Sequence, residues 1–423
     1  MMPRMRSLIG ATLILGLGAA QGADRAYSPQ EFQSDYSALC DEIGSTYAYF
    51  DTKALQWDRV CALYRADLGE VRTREQFVTL LEHVIDELYD PHAQLNTNTG
   101  TSYRLVPSGT DLWAEWRDGR AVITQVRADS NAERAGIRAG MVVLTLNGQP
   151  IAGLVEARLG RSYPHTTATA RDWALRSVLA GVHQVPRLLR LQVDGKPREF
   201  PLAAPDQSFR GSEPVSHAEI RPGIGYIVLN DSLGDDATVA AFDAALTALR
   251  ATRGLIIDLR DTASGGNSSV ARGILGRFVD KDMPYQKHIL PSEEKETGIR
   301  RSWLELVSPR GERYEGAVVV LVNRWTGSMG EGLAIGFDAT GAAKVVGTEM
   351  ARLVGATYTL TLPNTGIRAN VPAERLQHVN GTPREQYRPG AYVDVEHAAP
   401  GEDPFVARAL RELTAARTRT PGH

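Results

Sequence analysis

Apolar residues in the first part of the chain recur at helical spacing, which predicts a helical unit over residues 23–100. Ser28, Pro29 and Glu31 have the residue types of a helix start. Four apolar residues follow about one turn apart: Phe32, Tyr36, Leu39 and Ile43. A second start at Thr73 precedes another apolar face, formed by Phe77, Leu81, Val84 and Leu88. This helix ends at Tyr89-Asp90-Pro91, and His92 follows directly.

Residues 105–203 have the pattern of strands joined by tight turns. Asp118-Gly119, Asn147-Gly148 and Asp194-Gly195 each interrupt a run rich in strand-forming residues. This segment is therefore predicted to be a β-rich module with one or two helices. Residues 203–216 are rich in Pro, Ser, Asp and Gly, which favours a linker.

Strands and helices alternate in the remainder, residues 204–423, and predict an α/β core with a mostly parallel sheet. Buried strands are expected at residues 226–229, 255–259 and 318–322, with helices between them. Loops at the carboxyl ends of such strands commonly carry the functional residues. The predicted fold class is thus α/β, with an N-terminal helical unit and an inserted β-rich module.

The composition of the chain argues against some classes of function. The chain has 423 residues, 43% of them hydrophobic and 23% charged, with a formal net charge of −3. This balance is ordinary for a globular protein, and the absence of a basic block argues against a nucleic-acid partner. No metal or organic cofactor is expected, because no His, Cys and Asp cluster has the spacing of a ligand set.

The first residues have the pattern of a secretory signal peptide. Arg4 and Arg6 precede an apolar stretch over residues 8–17, and Ala20-Gln21-Gly22 has the form of a cleavage site. The prediction is a signal peptide over 1–22 and a periplasmic or secreted protein with no membrane span in its mature part; an uncleaved anchor is the alternative. Cys40 and Cys61 would then form a disulfide, although two buried free thiols would also fit.

Ser328 lies where the strand at 318–322 gives way to a helix. Backbone N–H groups are unpaired at such a junction and the helix dipole is positive, which suits an attacking oxygen and the oxyanion that it creates. However, Ser328 and Glu331 also have the spacing of a capping box, so the serine could simply begin the helix.

A nucleophilic serine needs a base. Lys344 is the only lysine after Ser328, and its position between a helix and a strand favours a solvated surface residue. His92 differs from the other histidines because the Asp90-Pro91 turn fixes the backbone before it; His378 and His397 are the next candidates. Gly265-Gly266 could point N–H groups at a developing charge, or could form an ordinary turn.

Four motifs in order resemble the C-terminal processing (tail-specific) peptidases of family S41: SNAERAGIRAG, LIIDLRDTASGGN, VVVLVNRWTGSMGEG and VVGTEM. These are serine proteases with a PDZ domain before a ClpP/crotonase-like α/β core. The LYDPHAQL segment resembles the tricorn-core branch, in which a histidine before the PDZ module is the base.

The resemblance implies a role for each matching residue. Ser328 would be the nucleophile and His92 the general base, with Glu385 orienting them. The amides of Met329 and of the Gly265-Gly266 turn would form the oxyanion hole. The chain departs from the family pattern at Asp261, where asparagine is usual, at Pro91, where tricorn has a helper serine, and at Met141, where the PDZ module usually has aspartate.

The expected function is therefore exported serine endopeptidase activity on unfolded or C-terminally tagged polypeptides, with the PDZ-like module binding an extended peptide. One alternative is a protein that binds apolar ligands or peptides without cleaving them. Another is a crotonase-type acyl-CoA enzyme, which export disfavours because coenzyme A is cytoplasmic. The substrate and the oligomeric state are not specified by the sequence.

Overall fold

The computed structural model describes residues 25–53, 55–162, 167–203, 213–397 and 401–419. The predicted signal peptide and most of the predicted linker lie outside the described residues. No described helix is both long and apolar enough to cross a bilayer.

Three helices form the N-terminal unit: α1 (Pro29–Thr46), α2 (Trp57–Arg65) and α3 (Arg74–Asp86). The predicted capping boxes are present, with Ser28 and Glu31 closing the start of α1 and Thr73 and Gln76 closing the start of α3. Their apolar faces meet in one core that includes Phe32, Tyr36 and Phe77. The two-residue strand β1 (Gln94–Leu95) begins two residues after His92.

The β-rich segment folds into a six-stranded antiparallel sheet with three helices. Its strands are β2 (Leu112–Arg117), β3 (Arg120–Val126), β4 (Val142–Leu146), β5 (Gln149–Pro150), β6 (Arg187–Val193) and β7 (Lys196–Leu202). Its helices are α4 (Asn131–Arg134), α5 (Ile151–Arg158) and α6 (Ala168–Ala180). The strand order is β2-β3-β4-β6-β7, with β5 beside β4. We call this unit the β module.

A second six-stranded sheet forms the α/β core. Its strands are β8 (Val215–Arg221), β9 (Ile224–Leu229), β10 (Gly254–Asp258), β13 (Ala317–Val322), β14 (Lys344–Gly347) and β17 (Ala391–Tyr392), arranged β17-β14-β13-β10-β9-β8. All neighbours are parallel except β8 and β9. Helices α7 (Ala237–Ala248), α8 (Ser268–Leu275) and α10 (Met329–Ala339) pack on one face, and α11 (Pro404–Arg419) packs on the other. The predicted α/β fold class is confirmed.

A third, antiparallel sheet was missed by the sequence analysis. It contains β11 (Met283–Leu290), β12 (Arg301–Val307), β15 (Ala356–Thr361) and β16 (Arg368–Gln377), and the short helix α9 (Pro291–Thr297) joins β11 to β12. Strand β16 pairs with β1, with Gln94 opposite Asn370 and Leu95 opposite Ala369. Leu362, Ile367, Ala369 and Val371 also enter the core of the helical unit. The helical unit is thus fixed to the C-terminal half of the chain.

Cys40 of α1 and Cys61 of α2 form a disulfide with a Cα–Cα distance of 6.1 Å. The bond closes a loop of 21 residues in sequence. A loop of this length constrains the unfolded chain enough to stabilise the fold by about 3 kcal/mol.

We expect the Cys40→Ser/Cys61→Ser variant to lose about 3 kcal/mol of unfolding free energy, because its unfolded chain is less constrained. Urea denaturation of the two proteins measures this difference. Reductant should weaken the wild type and leave the variant unchanged. An intact mass that already contains both thiol hydrogens before reduction would contradict the bond.

Candidate active site

Ser328 lies at the tip of the loop between β13 and α10, in an unusual backbone conformation. Its φ is 48° and its ψ is −112°, a region that residues other than glycine rarely adopt. Its backbone N–H donates to Oε2 of Glu331 at 3.0 Å, as in the predicted capping box. Its hydroxyl oxygen lies 3.1 Å from Nε2 of His92. The structure therefore brings the two predicted residues together from positions 236 apart in sequence.

The orientation of the His92 ring is set by a hydrogen bond at Nδ1, the ring nitrogen that faces away from Ser328. Nδ1 lies 2.7 Å from the carbonyl oxygen of Val354, and only a protonated Nδ1 can donate to that acceptor. This assigns the proton of the neutral ring to Nδ1 and leaves the lone pair of Nε2 facing the Ser328 hydroxyl. The backbone N–H of His92 donates to Asp90 Oδ1 at 2.9 Å, and Tyr47 donates to the other oxygen of that carboxylate at 2.8 Å.

Burial lowers the pKa of His92 from its ordinary 6.5 to about 4. The positive charge of Arg384 acts in the same direction, whereas the Val354 carbonyl and Asp90 oppose the shift. With a pKa of about 4, the ring is neutral near pH 7, as a general base must be.

Glu331 connects the nucleophile to the loop that holds the base. Its carboxylate is fully buried and accepts the N–H groups of Ser328, Arg352 and Leu353. Burial raises its pKa to about 7, against the lowering effects of the Arg384 charge and the three N–H donors. Because Val354 comes next in the chain, one carboxylate fixes both the serine and the acceptor of the histidine.

Arg384 holds the same loop from the other side, and sequence reasoning missed it. Its guanidinium donates to the carbonyls of Leu353 and Gly355 at 2.8 and 2.7 Å, on either side of Val354. It also lies 4.0 Å from the Glu331 carboxylate. A lone arginine beside the expected acid carries no local motif, so no sequence signal could have found it.

Glu385, the expected orienting acid, lies near these groups without joining the pair. Among the described residues its carboxylate makes no hydrogen bond to His92 or Ser328, and its Oε2 is buried without a partner. Burial raises the pKa of Glu385, and the negative charge of Asp90 adds to that rise. Asp90, not Glu385, is the carboxylate that contacts His92.

The two predicted glycines take different positions. Gly265 has a φ of 70°, and a Cβ there would lie 2.4 Å from Cβ of Ser328. Its N–H donates to the Thr262 carbonyl at 3.1 Å, so it serves by leaving room beside the nucleophile. The N–H of Gly266 has no acceptor among the described residues. Met329 is the first residue of α10, so its N–H has no intrahelical acceptor either. Gly266 and Met329 are therefore the candidate oxyanion donors.

The other candidate bases lie elsewhere. His378 stacks on Tyr387 and lies 3.5 Å from Asp338. His397 is exposed beside Asp394, and Lys344 pairs with Glu412 at 2.6 Å. None of them has a contact with Ser328 among the described residues, which leaves His92 as the base available to the serine.

Comparison with known proteins identifies this arrangement. Residues 223–396, which include Ser328, match the sequence profile of peptidase family S41. The α/β core thus has the sequence signature of a family S41 peptidase domain. This match agrees with the prediction of a serine-type peptidase.

The chain is also similar to a curated protein and to solved structures. Tricorn protease homolog 1 of Streptomyces coelicolor (strain ATCC BAA-471 / A3(2) / M145) is 24% identical over 336 residues, which cover 74% of this chain and 28% of the relative. The chain thus spans less than a third of the length of that protein. The crystal structure of mature CPAF superimposes with a TM-score of 0.61 at 15% identity, covering 93% and 99% of the two chains. The photosystem II D1 C-terminal processing protease gives 0.54 at 18% identity, covering 91% and 97%. At these identities, the likeness to the two solved structures is one of fold.

The low pKa of His92 predicts the acidic limb of activity. Since the base works only when neutral, protonation of His92 should halve kcat/KM near pH 4, separate from any loss that protonation of Glu331 near pH 7 causes in the wild type. Peptide hydrolysis measured across this range, with circular dichroism to verify folding, tests this. Repeating the profile in Glu331→Gln removes the contribution of Glu331, whose pKa is about 7, and leaves the limb that belongs to His92. A limb centred near the ordinary value of 6.5 in both proteins would contradict the prediction.

Replacing Glu331 with glutamine should slow catalysis, because a glutamine side chain has one acceptor oxygen and leaves at least one of the three N–H groups unpaired. We expect kcat to fall roughly tenfold with little change in KM, and the unfolding free energy to fall by about 1–3 kcal/mol. Steady-state kinetics and urea denaturation measure the two effects. Glu412→Gln, which removes a carboxylate of α11, is the control and should leave kcat unchanged. Wild-type kcat in Glu331→Gln would refute the positioning role.

Proposed function

We propose that the protein is an exported serine endopeptidase that cleaves unfolded or C-terminally tagged polypeptides through Ser328 and His92, with Glu385 assisting. The observation that carries the proposal is the 3.1 Å contact between Ser328 Oγ and His92 Nε2, in a ring whose Nδ1 is held by the Val354 carbonyl. A helix-capping serine has no need of a buried, neutral and oriented imidazole. The contact therefore favours catalysis over a purely structural serine or a ligand-binding protein.

The chemistry follows from these positions. Nε2 of His92 takes the proton of the Ser328 hydroxyl as Oγ attacks the peptide carbonyl. The N–H groups of Met329 and Gly266 would stabilise the resulting oxyanion. Nε2–H then protonates the leaving amine, and the C–N bond breaks to give an acyl-enzyme. Water, deprotonated by the same nitrogen, hydrolyses the ester and restores Ser328.

Glu385 would act on this pair indirectly. Its Oε2 is buried without a hydrogen-bond partner among the described residues. The negative charge of Asp90, which binds the His92 backbone, helps to raise the pKa of Glu385, so the two carboxyl groups are within electrostatic range. An acid in that position would help to stabilise the imidazolium that forms during the reaction.

Two features support export. The signal-peptide pattern of residues 1–22 directs a chain out of the cytoplasm. The Cys40–Cys61 disulfide is of a kind that persists in oxidising compartments. The periplasm, or the medium, is therefore the proposed location.

The β module would act as a PDZ-like unit that presents the substrate. Peptides bind such units by adding a strand to a sheet edge. On the β2 edge the N–H of Trp116 already donates to Asp172 of α6 at 2.8 Å. A peptide that adds to β2 must therefore replace this bond with one of its own.

A fluorophosphonate probe tests the proposal, because it reacts only with an activated serine. We expect labelling of the wild type, no labelling of Ser328→Ala, and labelling slowed roughly 10²–10⁴-fold in His92→Ala. Casein cleavage should follow the same order. The controls are Ser308→Ala and His397→Ala, an exposed serine and the histidine next considered as base; both should label at the wild-type rate.

Three outcomes would contradict the proposal in whole or in part. A folded wild type that is neither labelled nor able to cleave casein would favour the binding-protein alternative. Labelling that survives in Ser328→Ala would assign the reactive group elsewhere. A wild-type rate in His92→Ala would remove His92 as the base while leaving the nucleophile in place.

A further inference from the structure

The oxyanion turn, which we define as residues 261–266, is enclosed so tightly that its position depends on its neighbours. A Cβ on Gly265 would meet Oγ of Ser328 at 2.9 Å and the Met329 nitrogen at 3.1 Å. A Cβ on Gly266 would meet the Leu233 carbonyl at 2.1 Å. The turn thus lies between the nucleophile and the loop after β9. A small displacement would either collide with Ser328 or move the Gly266 amide away from the reacting carbonyl.

Backbone hydrogen bonds connect the oxyanion turn to residues 323–328, the loop that ends in Ser328, which we call the nucleophile loop. The N–H of Thr262 donates to the Trp325 carbonyl at 3.2 Å, and the N–H of Gly327 donates to the Thr262 carbonyl at 3.2 Å. The two loops therefore move together, and whatever fixes one of them fixes both oxyanion donors and Ser328.

The β module contacts both loops. Trp325 is fully buried against Val106, Trp113 and Ala180 of the segment that forms the module, and Ala263 of the oxyanion turn lies in the same cluster. The indole N–H of Trp325 donates to the Thr110 carbonyl at 2.8 Å. The module thus forms one wall of the catalytic centre.

An ion pair completes this wall. The guanidinium of Arg127, directly after β3, donates to Oδ1 of Asp261, the first residue of the oxyanion turn. The Arg127 side chain is only 4% exposed, and it also donates to the Ser108 carbonyl at 3.1 Å. The Asp261 carbonyl accepts the N–H of Asp231, whose carboxylate in turn binds the N–H and hydroxyl of Ser264 at 2.7 and 2.6 Å.

Asp261 is the position at which this chain has an acid where the S41 pattern usually has asparagine. A carboxylate there has a direct electrostatic partner in this chain, because the buried guanidinium of Arg127 faces it. Asparagine could accept the same hydrogen bond but would remove the negative charge that faces the buried guanidinium of Arg127. The acid and the arginine therefore form one unit.

We propose that Asp261 is a positioning residue through which Arg127 of the β module fixes the oxyanion turn. The proposal rests on the proposed peptidase mechanism and goes beyond it, because it gives the module a role in the chemical step that is separate from substrate binding. The oxyanion forms only in the transition state, so a misplaced turn lowers kcat and leaves the ground-state affinity for peptide intact.

The test is a double-mutant cycle with Asp261→Asn, Arg127→Gln and the double variant. We expect each single variant to lower kcat by about 10- to 100-fold with KM nearly unchanged. The double variant should be no slower than the worse single variant, because the two side chains act as one unit. Arg127→Lys, which retains the charge, should recover part of the lost rate.

Arg117→Gln is the matched control. It removes another ion pair between the β module and the core, with Glu396 at 2.7 Å, that does not contact the oxyanion turn. Its kcat should equal that of the wild type. Effects that add in the double variant, an unchanged kcat in both single variants, or an equal loss in Arg117→Gln would each overturn the proposal.

Hydrogen exchange separates this proposal from the peptidase mechanism itself. Mass spectrometry of a fragment containing residues 261–266 should show faster amide exchange in Asp261→Asn and Arg127→Gln than in the wild type and in Arg117→Gln. This readout needs no activity. Unchanged exchange would overturn the positioning role even in an active enzyme, whereas faster exchange in a protein that the fluorophosphonate probe does not label would refute only the peptidase mechanism.

Discussion

The contact between His92 and Ser328 is the constraint on which the rest of the structure depends. It joins the end of the helical unit to the start of α10, and neither element can form it alone. The β1–β16 pairing and the shared apolar core hold the segment of His92 against the C-terminal half of the chain, beside Ser328. The Asp90 carboxylate accepts the backbone N–H of His92 and fixes its position. Val354 then sets the rotation of the ring. The catalytic pair is therefore a product of tertiary structure, not of either segment.

The nucleophile loop maintains an unfavourable conformation at Ser328 because its surroundings leave no alternative. A residue other than glycine at a φ of 48° costs about 1–3 kcal/mol. The Glu331 carboxylate accepts the Ser328 N–H. The oxyanion turn is hydrogen-bonded to Trp325 and Gly327, which come just before Ser328. Gly330 is equally constrained, since a Cβ there would lie 2.3 Å from Oγ1 of Thr262. The strain is thus offset by contacts that also define the site.

Features that depend on interactions between residues close in sequence could be predicted from the sequence. The capping boxes at Ser28 and Thr73, the turns of the β module and the buried strand before Ser328 follow from short-range preferences, and each was predicted. The antiparallel sheet of β11, β12, β15 and β16 was not, because its pairings join residues far apart in sequence and need no turn motif. Arg384 was missed for the same reason. Its guanidinium donates to two carbonyls of a loop that is some thirty residues away in sequence.

The resemblance to a family supplied what local patterns could not, but it did not supply the second layer of the site. It pointed to Ser328, His92 and the glycine turn, which the structure brings together. It also pointed to Glu385, whereas the hydrogen bonds around the pair come from Asp90, Glu331 and Arg384. Residues that hold such groups depend on the packing of the particular chain, so a family motif does not identify them.

The charges around His92 explain how a buried base with a low pKa can still accept a proton. In the resting site, burial and the Arg384 charge disfavour the imidazolium, which keeps Nε2 free to accept. In the proposed mechanism an oxyanion forms near Met329 and Gly266, and its negative charge would favour the imidazolium for as long as the oxyanion exists. The Val354 carbonyl and Asp90 then stabilise the positive ring. In that mechanism, proton transfer to His92 is coupled to formation of the tetrahedral intermediate.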